Sequence, residues 1–110
     1  MKKVENKYTA LKYILLLIII SSTSIHVSAQ TAEEHYGDGL YQYGSGNYTQ
    51  ALDDFSKAIK ANNNYGDAYR ERGFTLIALK KMDAAFIDLN KAIALNGKDY
   101  RAYYGRGIVY

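Results

Sequence analysis

Apolar positions recur at helical spacing along most of the chain. Tyr69, Gly73, Leu76 and Ile77 fall on one face at intervals of three to four residues, and Ala85, Leu89, Ala92 and Ile93 do the same further on. The stretches GNYTQALDDFSKAI and KKMDAAFIDLNKAI therefore read as amphipathic helices. Only Ser45-Gly46-Asn47 and Lys80-Lys81 separate them from the helices before, which leaves room for nothing but antiparallel helical hairpins. Asn47 with Gln50 is predicted to cap the second helix.

The same helix is written twice at an offset of 34 residues: Gly39 aligns with Gly73, Ala51 with Ala85, Phe55 with Leu89, Ala58 with Ala92 and Ile59 with Ile93. Ala68-Tyr69 and Arg72-Gly73 recur once more as Ala102-Tyr103 and Arg106-Gly107. The units are 32–65, 66–99 and the start of a third over 100–110. In each, a small residue stands beside a large one, Gly39 and Ala51 near Phe55, Gly73 and Ala85 near Leu89, so backbones approach closely and the bulky group fills the gap. A hairpin of this size cannot bury its apolar face alone, and its copies must stack.

These residues make the chain resemble the tetratricopeptide repeat family, a helix-turn-helix unit of about 34 residues with the pattern W-x2-L-G-x2-Y, A-x3-F, P. The match covers Ala32 to Tyr110. Tyr69 takes the tryptophan place, Gly73 and Leu76 follow it, and Ala85 with Leu89 takes A-x3-F; in the first unit Gly39, Ala51 and Phe55 match, while His35 and Gln42 depart. The closing proline is replaced by Asn63 and Gly97, expected to end the helices in a left-handed conformation. The leucine before the glycine is replaced by Asp38, Arg72 and Arg106, and ion pairs are predicted from Asp54 to Arg72 and from Asp88 to Arg106.

The resemblance implies an all-α superhelical solenoid of two full repeats plus the first helix of a third. Repeat packing is then assigned to Gly39, Ala51, Phe55, Ala58, Tyr69, Gly73, Ala85, Leu89, Ala92, Tyr103 and Gly107. In the family the first helices line a concave groove that holds a peptide. The matching positions are Tyr36, Arg70 and Tyr104, then Leu40, Phe74 and Ile108, with Tyr43, Ile77 and Arg101 beside them. Tyrosine, arginine and apolar groups are the usual anchors of a binding surface. Some members grip a C-terminal carboxylate with lysine and asparagine. Here Tyr36 and Leu40 stand in those places, so that specificity is not expected.

The N-terminus changes the picture. Lysines at Lys2, Lys3, Lys7 and Lys12 precede an apolar run from Tyr13 to Ile20, and a polar stretch ends in Val27-Ser28-Ala29. This reads as a secretory signal over residues 1–29, cleaved at Ala29/Gln30, with a periplasmic or secreted product over 30–110. The alternative is an uncleaved membrane anchor, because no charge occurs from Tyr13 to Ala32. The leader's four lysines and Glu5 account for the whole net charge of +3. From Gln30 onward ten basic residues face ten acidic ones, which removes the field that nucleic acid would need. With no cysteine, neither disulfides nor thiolate metal sites are available.

Catalytic chemistry is thin. His35 has no second histidine near it in sequence after the leader, and Asp53-Asp54 and Glu33-Glu34 are adjacent pairs whose members point about 100 degrees apart on a helix. Gly37-Asp38-Gly39 and Gly44-Ser45-Gly46 lack the lysine and spacing of a phosphate loop. No catalytic, cofactor or metal site is predicted, and no small-molecule substrate. The expected function is an exported module or scaffold that binds a protein or peptide. The alternatives are the front part of a longer repeat protein with a downstream domain, or a block that self-associates through the open face of the last helix, at Ile108 and Tyr110.

Overall fold

The computed structural model describes residues 8–18 and 29–110, and all regular structure in them is helical. A first helix, α1, covers residues 8–18 with every side chain exposed. Residues 19–20 of the apolar run and Val27-Ser28 of the cleavage motif lie outside the described residues. No helix among the described residues is long and apolar enough to cross a membrane.

Five helices follow: α2 (Ala32–Gly44), α3 (Tyr48–Ala61), α4 (Gly66–Ala78), α5 (Met82–Leu95) and α6 (Tyr100–Val109). The first helices of successive units begin at residues 32, 66 and 100, a constant step of 34. They pack as two antiparallel hairpins, α2 with α3 and α4 with α5, and α6 continues the stack against α4 and α5.

Local chemistry sets these boundaries. Thr31 and Glu34 form a reciprocal capping box at the start of α2 (3.2 and 3.1 Å), and the Asp99 carboxylate accepts the Ala102 N–H at the start of α6 (3.1 Å). The predicted cap at Asn47 does not form: Asn47 donates instead to Gln42 Oε1 (2.9 Å), and Gln50 donates to Asp54 (3.2 Å). The turn inside each hairpin needs one left-handed residue, Gly46 (φ 80) in the first and Lys80 (φ 60) in the second.

The breaks between hairpins use a different device from the one expected. Asn63 and Gly97 are not left-handed. Asn62 and Asn96 turn extended (φ −144 and −145), and their side chains accept from the N–H groups of Asn64 and Lys98, each at 3.0 Å. Asn63 and Gly97 supply carbonyl oxygens, which accept the phenol protons of Tyr69 (3.0 Å) and Tyr103 (3.1 Å) and so tie each break to the next helix.

Phe55 and Leu89 are fully buried, as are Ala51, Ala58, Ala85 and Ala92. A Cβ on Gly39 would sit 2.5 Å from the Phe55 ring, and one on Gly73 2.8 Å from Leu89, which is why glycine stands at both places. Tyr69 is half-buried and joins the two core clusters. Tyr103 is more exposed. Gly107 is also exposed and meets nothing within 4 Å.

The predicted junction ion pairs are corrected. Arg72 pairs not with Asp54 behind it but with Asp88 ahead, through Nε (2.6 Å) and NH2 (2.8 Å), inside its own hairpin. Across the junction it reaches Ser56 (3.3 Å), and Arg106 likewise reaches Asn90 (3.1 Å) rather than Asp88. A first helix lies closer to its own hairpin partner than to the previous one, so the aspartate 16 residues ahead is the one its fork meets.

Candidate functional site

The first helices of the three units line a groove of about 610 Å³. Tyr43 of α2 stands at one side, Phe74, Ile77 and Ala78 of α4 form the apolar floor with Glu71, and α6 supplies Tyr100, Arg101, Tyr104 and Ile108. Helical spacing explains the grouping: Tyr100, Tyr104 and Ile108 lie four apart on one face, as do Phe74 and Ala78. The size falls within the usual range of a ligand site.

Six of the nine predicted groove residues are brought together here: Tyr43, Phe74, Ile77, Arg101, Tyr104 and Ile108. Three are placed elsewhere. Leu40 is exposed on α2 but does not line this groove. Tyr36 packs between Phe55 (ring centroids 5.8 Å) and Tyr65 (5.1 Å). Arg70 is buried and not available to a ligand. Its NH1 bonds Asp99 and Asp67, each at 2.8 Å, and its Nε bonds Glu71 at 3.1 Å.

Tyr36 and Arg70 occupy equivalent positions, and so do their partners. Tyr36 meets Tyr65, 29 residues on, and Arg70 meets Asp99, also 29 on. One junction is thus held by a ring pair and the other by a buried ion pair. Burial works against the charge of Arg70, but hydrogen bonds to Asp99 and Glu71 outweigh it and raise its pKa.

Glu71 and Tyr100 are groove residues that sequence reasoning missed. The signal for Glu71 was available, since the other copies carry Gly37 and Gly105 at that place and a lone acid there needs a partner. It has two: Glu71 Oε1 accepts from Nε of Arg70 (3.1 Å) and forms an ion pair with NH1 of Arg101 (3.1 Å). The guanidinium of Arg101 lies 5.8 Å from the Phe74 ring centroid, which orients it across the floor.

Burial pushes the phenols of Tyr36, Tyr43 and Tyr65 above their ordinary value of 10.0. The neutral phenol is favoured in the fold, so stability holds below pH about 10 and falls as the unfolded chain ionises first above it. The melting temperature is expected to drop from about pH 10 upward, in step with delayed tyrosinate absorbance, and Tyr36→Phe is expected to reduce that drop.

Asp53 pairs with Lys57 (2.9 Å) while Asp54 is buried and bonded by Gln50, so the adjacent acids diverge. Among the described residues no group of three or more His, Asp or Glu is arranged to hold a metal ion.

Comparison with solved structures gives the fold a name. The chain superposes on the Arabidopsis OM64 TPR domain with a TM-score of 0.70 at 26% identity, over 71% of this chain and 64% of that one. The first TPR of Spaghetti (RPAP3), bound to the HSP90 peptide SRMEEVD, gives 0.71 at 32%, over 77% and 68%. The crystal structure of MamA gives 0.73 at 27%, over 78% and 50%. The fold is a tetratricopeptide solenoid. The Caenorhabditis elegans cell division cycle protein 27 homolog is 35% identical over 63 residues, 57% of this chain but 8% of that protein. No family model matches the chain. In tetratricopeptide terms the groove described above is the inner face formed by the first helices.

Proposed function

We propose that this tetratricopeptide array is a protein-interaction module that holds a segment of a partner protein in the groove between α2, α4 and α6. The observation that carries this is the groove itself. Phe74, Ile77 and Ile108 give an apolar surface, while Tyr43, Tyr100 and Tyr104 add large rigid rings with a hydroxyl each. Such rings bring much contact area at little cost in side-chain freedom. The tetratricopeptide neighbour bound to the peptide SRMEEVD supports a peptide as the class of ligand. The ligand here differs from one gripped by its terminal carboxylate, because Tyr36 and Leu40 replace the lysine and asparagine of that grip.

Export of the module to the periplasm or outside the cell is part of the same proposal, and it rests on the leader sequence. Recovery of the chain outside the cytoplasm with Gln30 as its first residue tests it; a cytoplasmic protein of full mass would overturn it.

Groove binding is tested by panning a random-peptide phage library on the protein. Tyr104 is 69% exposed and Ile108 46%, so Tyr104→Ala and Ile108→Ala leave the fold intact. Each is expected to weaken enriched peptides about tenfold, as truncation of an interface anchor does. Unchanged affinity in both variants would remove the groove from the function.

A second reading, self-association, is favoured by the exposed side of α6, where Gly107 meets nothing within 4 Å and Tyr110 is 86% exposed. Sedimentation at rising concentration separates the two, because the groove reading expects a monomer.

A further inference from the structure

We infer that Asn96 is a site of spontaneous covalent modification: its side-chain amide closes on the Gly97 nitrogen, sheds ammonia and opens to aspartate or isoaspartate, which loosens α6 from the array. This holds whatever occupies the groove.

The two breaks between hairpins share one turn and differ at its second residue. Asn62 and Asn96 are both extended, and their side chains bend forward to accept the N–H two residues on, each at 3.0 Å. That bend brings the amide carbon Cγ toward the peptide nitrogen that follows. After Asn62 comes Asn63, whose Cβ crowds a closing five-membered ring, whereas after Asn96 comes Gly97, which has no Cβ. Gly97 is exposed, and its N–H makes no hydrogen bond among the described residues. The N–H of Lys98 already points at Asn96 Oδ1, the oxygen that gathers negative charge as the ring closes. Asp38 also precedes a glycine, but inside α2, where closure would take the Gly39 N–H out of the helix.

In the step itself a bond forms from Gly97 N to Asn96 Cγ, the Cγ–Nδ2 bond breaks, and the Gly97 amide proton leaves with Nδ2 as ammonia. Water then opens the ring. Addition at Cγ gives aspartate; addition at the main-chain carbonyl gives isoaspartate, whose main chain runs through the side chain and is longer by a methylene. The Asn96 carbonyl accepts the Asp99 N–H (3.1 Å), the Gly97 carbonyl accepts the Tyr103 phenol (3.1 Å), and Asp99 holds Arg70 (2.8 Å). A longer main chain here shifts all three contacts. The new carboxylate also stands at the C-terminal end of α5, whose last turn has no basic residue. Because α6 supplies Tyr100, Tyr104 and Ile108 to the groove, conversion displaces one of its walls.

A Cβ on Gly97 would meet only the Ile93 carbonyl oxygen, at 4.0 Å, and Gly97 is not left-handed, so Gly97→Ala folds and restores the crowding found after Asn62. The folded chain is held in mildly alkaline buffer, and tryptic peptides spanning the two breaks are followed by mass spectrometry, with isoaspartyl methyltransferase marking isoaspartate. Asn96 is expected to convert about tenfold faster than Asn62, a comparison that needs no variant. Gly97→Ala should slow Asn96 to about the rate of Asn62 with the melting temperature unchanged. In the converted fraction, separated by its extra negative charge, α6 amides should exchange hydrogen faster than in fresh protein while those of α3 keep their rates. Equal rates at Asn96 and Asn62, or an Asn96 rate untouched by Gly97→Ala, would overturn the site. Unchanged exchange in α6 after conversion would overturn the loosening.

Discussion

Phe55→Ala is expected to cost the array about 3–5 kcal/mol, a large share of the roughly 5–15 kcal/mol that holds a domain of this size together. The ring is fully buried between α2 and α3, against Gly39 and beside Tyr36, so its loss opens a cavity that the hairpin cannot collapse into without moving a helix. Gly39→Ala provides the complementary test. Glycine to alanine inside a helix normally gains about 1 kcal/mol. Here the new methyl would press on the ring from 2.5 Å, and overpacking of this kind costs about 1–3 kcal/mol. With Phe55 already truncated, the methyl enters vacated space, and Gly39→Ala is expected to stabilise that variant. Urea unfolding followed by circular dichroism measures all three. A loss below about 1 kcal/mol for Phe55→Ala would mean that α2 does not pack on α3 through this ring.

The second large effect is expected at Arg70. Replacement by methionine removes the cation from a site where the Asp99 side chain is 6% exposed, leaving that carboxylate buried with only the Ala102 N–H. Breaking a buried pair from one side costs about 3–5 kcal/mol. Glu71 suffers less, because Arg101 still reaches it. The other junction suggests the rescue. Converting both members, Arg70→Tyr with Asp99→Tyr, would copy the Tyr36–Tyr65 arrangement. It forfeits the α6 cap, about 1 kcal/mol, but leaves no stranded charge, so the double variant is expected to be more stable than Arg70→Met. The opposite order would show that the ion pair is worth more than its absence of stranded charge explains.

Much of this was legible beforehand because the repeat is a covalent record of a packing unit. A constant step of 34 fixes where helices restart, and the pairing of Gly39 with Phe55 and of Gly73 with Leu89 marks which faces touch. What stayed hidden depended on which of two neighbours lies nearer. Arg72 has an aspartate 18 residues behind and another 16 ahead, and only the packing of α4 on α5 decides for Asp88. Arg70 sits at the place from which Tyr104 lines the groove in the third copy, yet Asp99, which as a sequence looks like a helix cap alone, also draws it into the junction. Asn63 and Gly97 looked like left-handed residues by type. The turn was made instead by the asparagines just before them, whose short side chains bond forward along the chain.

Copies of one unit carry a hazard: a hairpin that docks one place too far along finds a nearly identical surface, and repeat chains misassemble in this way. The unlike junctions forbid the slip. If α6 took the place of α4 beside α2, Asp99 would be shut against the Tyr36 ring, and Arg70 would lose the acid it needs. Each hairpin therefore accepts one successor, and the order of the stack is written in which side chains refuse each other.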